Sequence, residues 1–211
     1  MSRIPAAERR AALAHAALAV IARDGLSAAT TRAIVAEAGM PLASFHYAVP
    51  SRDELLRDVV ELVVAEEGNA ALAPLLAQAG SIRDATVLAM SAYLELVKRD
   101  PGREQAMFEL TQYALRTPGL DDLPAEQYAR YHALAIELLE TATAQHHPEW
   151  RVSMPDLARL LVNFTDGLTL AWLADRDDAA AARSIELTAD AIEMFSQHRT
   201  PITHALNGAP A

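Results

Sequence analysis

Between Thr30 and Arg52 the run TTRAIVAEAGMPLASFHYAVPSR gathers side chains that donate hydrogen bonds to anions: Thr30, Thr31, Arg32, Ser44, His46, Tyr47 and Arg52. A guanidinium reaches a guanine edge or a phosphate with paired bonds, hydroxyls and imidazoles donate to phosphate oxygens, and Leu42 or Ala43 fits a thymine methyl. The chemistry open to this set is polyanion binding. Bond-making chemistry has no comparable set. The chain has no cysteine, no phosphate-cradling glycine loop, no H-E-x-x-H, no G-x-S-x-G and no spaced group of metal ligands. Its seven histidines are scattered, and His146-His147 beside Pro148 reads as a polar helix end. No enzymatic activity, metal or cofactor is expected.

The donors need elements to hold them, and the same run supplies the signals. Thr30 is an N-cap residue; Ile34 and Val35 are apolar, Ala36 and Ala38 small, and Gly39 permits a tight turn. A second short helix follows, with Pro41 in its first turn and Pro50 as its stop. Ser51 and Glu54 then form an S-x-x-E box that opens the next helix. Helices of six or seven residues are not stable alone, so flanking helices must hold this pair. One is expected over Ala6 to Arg23, with Leu13, Ala17, Val20 and Ile21 on one face and Leu26 packing the turn after it. The other starts at about Arg52 and buries Leu55, Leu56, Val59, Leu62 and Val63. It is expected to persist to Glu67 and to continue less regularly past Gly68 towards Pro74 and Gly80.

The combination of a Thr-Thr-Arg helix start, an Ala38-Gly39-Met40 turn, an aromatic-rich helix before Pro50-Ser51-Arg52 and the following Glu54-Leu55-Leu56 resembles the DNA-binding signature of the TetR family. The motif match runs over about residues 8 to 60, and the length and helical layout extend it to the whole chain. The resemblance implies an all-α fold of about nine helices. Residues 1–50 would form a three-helix DNA-binding domain, 51–199 an effector and dimerisation domain, and 200–211 a loose tail. It implies a homodimer through the last two helices, a double-stranded DNA operator and a small-molecule effector that releases a repressor. DNA contacts are then expected from Thr30, Thr31, Arg32, Pro41, Leu42, Ala43, Ser44, His46, Tyr47 and Arg52, with Phe45 and Val49 facing the core. Two departures stand out. Tyr47, Ala48 and Val49 occupy the place of the family's usual Tyr-His-Phe, and Pro41 and Ala43 replace an early serine and glycine. With no Arg, Lys, Asn or Gln in that helix, binding is expected to be driven by phosphates and weakened by salt. An all-α dimeric interaction module without DNA is the alternative; it would leave Arg32, Tyr47 and Arg52 without a role.

Over 211 residues, 52% hydrophobic content suffices for a sizeable core. The net charge of −10 is uneven: residues 1–52 hold six Arg against three acids, and the remainder twelve basic against 25 acidic residues. A local polyanion site on a body that repels polyanions elsewhere has this pattern. Arg3, Arg9 and Arg10 could approach phosphates. The apolar run Ala11 to Ala22 contains His15 and lacks a small-x-small cleavage pattern, so it reads as a helix rather than a signal segment. No segment reaches the roughly 18 apolar residues of a membrane-crossing helix, and a soluble protein of a reducing cytoplasm is expected.

Beyond residue 80, Ser81 with Asp84 opens a helix to Asp100, and a two-faced apolar helix follows over Arg103 to Arg116. Asp121 and Asp122 signal a helix to about Gln145, Ser153 with Asp156 one to Ala174, and the last runs from Asp178 to His198. A cavity between these helices would draw its lining from Met90, Tyr93, Phe108, Gln112, Tyr113, Phe164 and Trp172. Glu109 and Asp166 lie on largely apolar helices and could attract a cationic or hydrogen-bonding effector; a solvated or paired carboxylate is the ordinary alternative.

Overall fold

The computed structural model describes residues 5–67, 79–144 and 148–196, and among them the regular structure is entirely helical. The helices are α1 (Ala6–Asp24), α2 (Thr31–Glu37), α3 (Leu42–Ala48), α4 (Arg52–Glu67), α5 (Ile82–Arg99), α6 (Pro101–Ala114), α7 (Leu123–Thr143), α8 (Met154–Asp175) and α9 (Asp178–Ser196), with a 3-10 turn at Leu26–Ala28. The expected tail over 200–211, the continuation of α4 beyond Glu67, and Arg3 lie outside the described residues. No described helix is long and apolar enough to cross a membrane.

Helix starts follow their capping residues. The N–H of Ala33 donates to Thr30 Oγ1 at 3.2 Å, Glu54 N–H to Ser51 Oγ at 3.1 Å, Asp84 N–H to Ser81 Oγ at 3.0 Å and Asp156 N–H to Ser153 Oγ at 3.3 Å. Each bond satisfies one of the N–H groups that a first turn leaves without a partner. Three starts differ from expectation. Helix α6 begins at Pro101 because Asp100 accepts from Arg103 N–H at 3.1 Å and proline suits the first helical position. Pro41 is the N-cap of α3 rather than part of its first turn. Asp122 does not cap α7 with its side chain; its Oδ1 takes Nη2 of Arg57 at 2.6 Å.

Helices α1 to α4 enclose one core with Leu13, Ile21, Ile34, Phe45, Leu55, Leu56 and Val63 all buried. The same core takes in Met107, Leu110 and Ala114 of α6, so apolar packing continues across position 50 without a break. Full burial of each such Leu, Ile or Phe stabilises the fold by about 1.5–3 kcal/mol. Gly102 sets how closely α6 meets α1: a Cβ there would stand 2.7 Å from the carbonyl oxygen of Ala22. The second layer pairs α5 with α9 and α7 with α8, around clusters centred on Leu157, Val162 and Ile192, and on Met90, Val97, Trp172 and Ile185.

Candidate functional site

Helix α3 is pinned from below and bare above. Phe45 and Val49 are buried in the core, while Pro41, Leu42, Ala43, His46 and Tyr47 are exposed, Tyr47 at 82%. Ser44 is half-buried one turn into the helix. Gly39 takes φ +63, the left-handed conformation that a side chain disfavours, and Met40 N–H then reaches back to the carbonyl of Val35 at 2.8 Å. This turn sets α3 across α2, where Thr30 and Arg32 are exposed and Thr31 is half-exposed. A helix-turn-helix with an outward second helix is the result.

The cations nearby are largely committed elsewhere. Arg52, expected at a phosphate, points inward: Nε donates to the carbonyl of Ala29 at 2.9 Å, Nη2 to that of Leu26 at 3.0 Å and Nη1 to the hydroxyl of Tyr113 at 3.4 Å. Its guanidinium also lies over the Tyr113 ring, 5.5 Å from the centroid. The 3-10 turn leaves carbonyls that need donors, and Arg52 supplies them. Arg10, half-exposed, makes paired bonds to Asp58 at 2.6 and 2.7 Å, which staple α1 to α4. Arg23 pairs with Asp24 and Glu37. Arg32 therefore stands out as an exposed arginine on α2 with no ion pair among the described residues.

Behind this module, α5, α6, α7 and α8 surround a cavity of about 330 Å³. Met90, Tyr93, Phe108 and Asp166 line it. Glu109, Gln112, Tyr113, Phe164 and Trp172 do not. Glu109 lies on the opposite side of α6, where its Oε2 accepts the N–H of Leu26 at 2.7 Å; Tyr113 holds Arg52, and Gln112 is exposed. Phe164 packs on the α5–α9 cluster. Trp172 is buried there too, its Nε1 donating to Asp178 Oδ1 at 2.8 Å beneath the guanidinium of Arg176.

Sequence reasoning missed the cavity's most polar wall. Glu104, Thr111, Gln127, Tyr128 and Tyr131 all line it. Their signal was helical spacing: Glu104, Phe108 and Thr111 follow one face of α6, and Gln127 and Tyr131 one face of α7. Tyr93 OH donates to Glu104 Oε2 at 3.2 Å and Tyr128 OH to Asp166 Oδ2 at 2.7 Å. Thr111 Oγ1 donates to Gln127 Oε1 at 3.0 Å, and Gln127 Nε2 to Tyr131 OH at 3.2 Å. Burial pushes the carboxyls of Glu104 and Asp166 above the usual carboxylate range. Burial, aided by the bond to Asp166, also pushes the Tyr128 phenol up.

Family models match both layers. The one for bacterial regulatory proteins of the tetR family matches residues 13–59, and that for the C-terminal part of BetI-type transcriptional repressors matches residues 82–197, more than half the chain. The HTH-type nicotine-responsive transcriptional repressor HdnoR of Paenarthrobacter nicotinovorans is 27% identical over 176 residues, which cover 83% of this chain and 89% of that one. Among solved structures, a TetR-family transcriptional regulator from Rhodococcus sp. superposes with a TM-score of 0.73 at 20% identity, over 90% of this chain and 100% of that one. The multidrug binding protein EbrR, complexed with ethidium, superposes with a TM-score of 0.60 at 24% identity, over 89% and 99% of the two chains. These superpositions establish the common fold. With a reading-head module in front, a lined cavity behind and both family models in register with them, the chain belongs to the TetR family of transcriptional regulators.

Proposed function

We infer that the protein is a ligand-responsive DNA-binding repressor in which α6 carries the signal from cavity to reading head. The observation that carries this is the two-sided use of α6. Glu104, Met107, Phe108 and Thr111 line the cavity, while Gly102, Glu109 and Tyr113 hold the end of α1, the 3-10 turn and Arg52. A ligand that displaces the first set moves the second, because packed helices shift as units rather than deforming. That the related HdnoR is a nicotine-responsive repressor supports a small-molecule signal here.

DNA contacts are assigned to Thr30, Thr31, Arg32, Pro41, Leu42, Ala43, Ser44, His46 and Tyr47, all exposed or half-exposed on or beside α2 and α3. A homodimer through α8 and α9 is supported by exposed Leu170, Leu187 and Met194, which share these faces with Gly167 and Ala171. Two-fold symmetry then sets two α3 helices in successive major grooves about 34 to 36 Å apart, or a multiple of that. An effector that binds the mis-spaced state better releases DNA, and DNA weakens effector binding by the same factor.

Selection of bound sequences from a random DNA pool tests the reading. A pseudo-palindromic motif is expected, with half-sites about one turn or a multiple apart. Recovery of no motif by folded dimer, with and without small molecules that occupy the cavity, would overturn it in favour of a dimeric interaction module.

A further inference from the structure

The cavity has a charge character that its apolar walls conceal. Glu104 is 8% exposed, and its Oε2 accepts one bond, from Tyr93, while Oε1 takes no hydrogen bond among the described residues. Asp166 is similar: Oδ2 is held by Tyr128, and Oδ1 takes no hydrogen bond among the described residues. No Lys or Arg forms an ion pair with either carboxylate among the described residues. Arg103 acts on Glu104 only through space, and its Nη2 donates to the carbonyl of Val63. Arg99, at the cavity wall, is exposed, with its Nε on the carbonyl of Glu95. Two half-satisfied acids thus face one space with no ion pair among the described residues, Arg103 acting on Glu104 and His132 on Asp166 only through space, and Asp166 makes ionisation of Glu104 harder still, in addition to the larger effect of burial.

A buried carboxylate is costly to keep unless something pairs with it. Around these two acids stand rings: Tyr93, Phe108, Tyr128 and Tyr131. Aromatic faces attract cations and pack on flat apolar bodies. A neutral ligand would leave an ionised carboxylate here uncompensated, and an anion would add a like charge. The volume suits a ligand of two or three fused rings, at the lower end of the roughly 300–1,000 Å³ common for small-molecule sites.

We propose that the effector is an organic cation with a flat apolar body, its charged nitrogen facing Glu104 and Asp166 and its rings against Phe108, Tyr128 and Tyr131. This rests on the cavity being the effector site. Cation binding completes the electrostatics of the two acids, whose tyrosine partners alone leave one oxygen of each unmatched.

The test uses three tricyclic probes of similar shape and different charge, titrated into the full chain by fluorescence: 9-aminoacridine as cation, acridone as neutral and acridine-9-carboxylate as anion. The cation is expected to bind at least about tenfold tighter than the other two, a difference of about 1.4 kcal/mol. Glu104→Gln and Asp166→Asn are each expected to weaken 9-aminoacridine about tenfold and to leave acridone unchanged, which also reports that the cavity is intact. Equal binding of the three probes, no binding of the cation at millimolar concentration, or cation binding indifferent to both substitutions overturns the proposal. The same preparation is assayed on the selected DNA. Specific DNA binding without a charge preference removes the cation proposal alone; a charge preference without specific DNA binding removes the repressor reading alone.

Discussion

Glu104 is a carboxyl whose burial at the cavity wall opposes its ionisation. Its carboxyl is pushed up by burial, against smaller opposing effects from Tyr93 and Arg103. The native state therefore holds this proton more tightly than the unfolded chain, where a glutamic acid titrates at about 4.3. Stability falls as pH rises through the window between the unfolded and the raised native value, and the full cost is present above it. Glu104→Gln removes the charge and leaves an amide that can still meet Tyr93. At pH 7 the variant is expected to unfold at higher urea concentration than the wild type, and this gap is expected to close as the pH is lowered towards 4. A variant less stable than wild type at pH 7 would show that the native carboxylate is already compensated. Asp166 was legible as a possible effector contact because it stands alone among Leu157, Leu160, Leu161, Phe164 and Leu168. Glu104 was not, because it sits among the polar residues of a helix start, where an acid is ordinary.

At the scale of elements, Arg52 and the 3-10 turn matter most. Arg52 was assigned to phosphate from its place after Pro50 and Ser51, but its partners Leu26, Ala29 and Tyr113 are far away in sequence. Only the assembled bundle brings α4, α6 and the turn together. Arg52→Gln leaves the carbonyl of Ala29 without its side-chain donor and takes from that of Leu26 one of its two donors, the Ala29 N–H remaining. It is expected to lower the unfolding free energy by about 1–3 kcal/mol. The salt dependence of DNA binding by the folded variant should stay unchanged. A fall in the slope of log K against log salt by about 2 in the dimer would instead place Arg52 on phosphates, at about 0.9 per phosphate contact. Glu109 teaches the same lesson from the other side of α6. A helix apolar on more than one face was recognised, yet periodicity alone does not say which face meets the cavity and which the reading head.

At the scale of the molecule, burial in the single chain leaves a surface unaccounted for. Leu187 is 69% exposed and Met194 62%, seven residues and two turns apart on α9, with Leu170 at 51% on α8. These side chains are the ones that the proposed homodimer would cover. In sedimentation equilibrium the wild type is expected to run at twice the 22.8 kDa of one chain. The double variant Leu187→Asp, Met194→Asp is expected to run as a monomer with its helical circular dichroism retained, and to lose at least about a hundredfold in affinity for the two-half-site DNA, since avidity across linked sites is worth about 10² or more. A double variant that remains dimeric would locate the interface elsewhere.

The sequence by itself determined the helix-turn-helix, the capping residues that start α2, α4, α5 and α8, and the all-helical class. Those features depend on neighbours within a turn or two: a threonine hydroxyl over an N–H, a glycine at positive φ, a repeat of apolar residues at helical spacing. The tertiary structure alone decided where the charged and aromatic groups go. Arg10 pairs with Asp58, Arg52 turns inward, Trp172 and Tyr113 leave the cavity, and Glu104 enters it, because each choice depends on which distant carbonyl, carboxylate or ring the packing of α1, α4, α6 and α7 sets alongside.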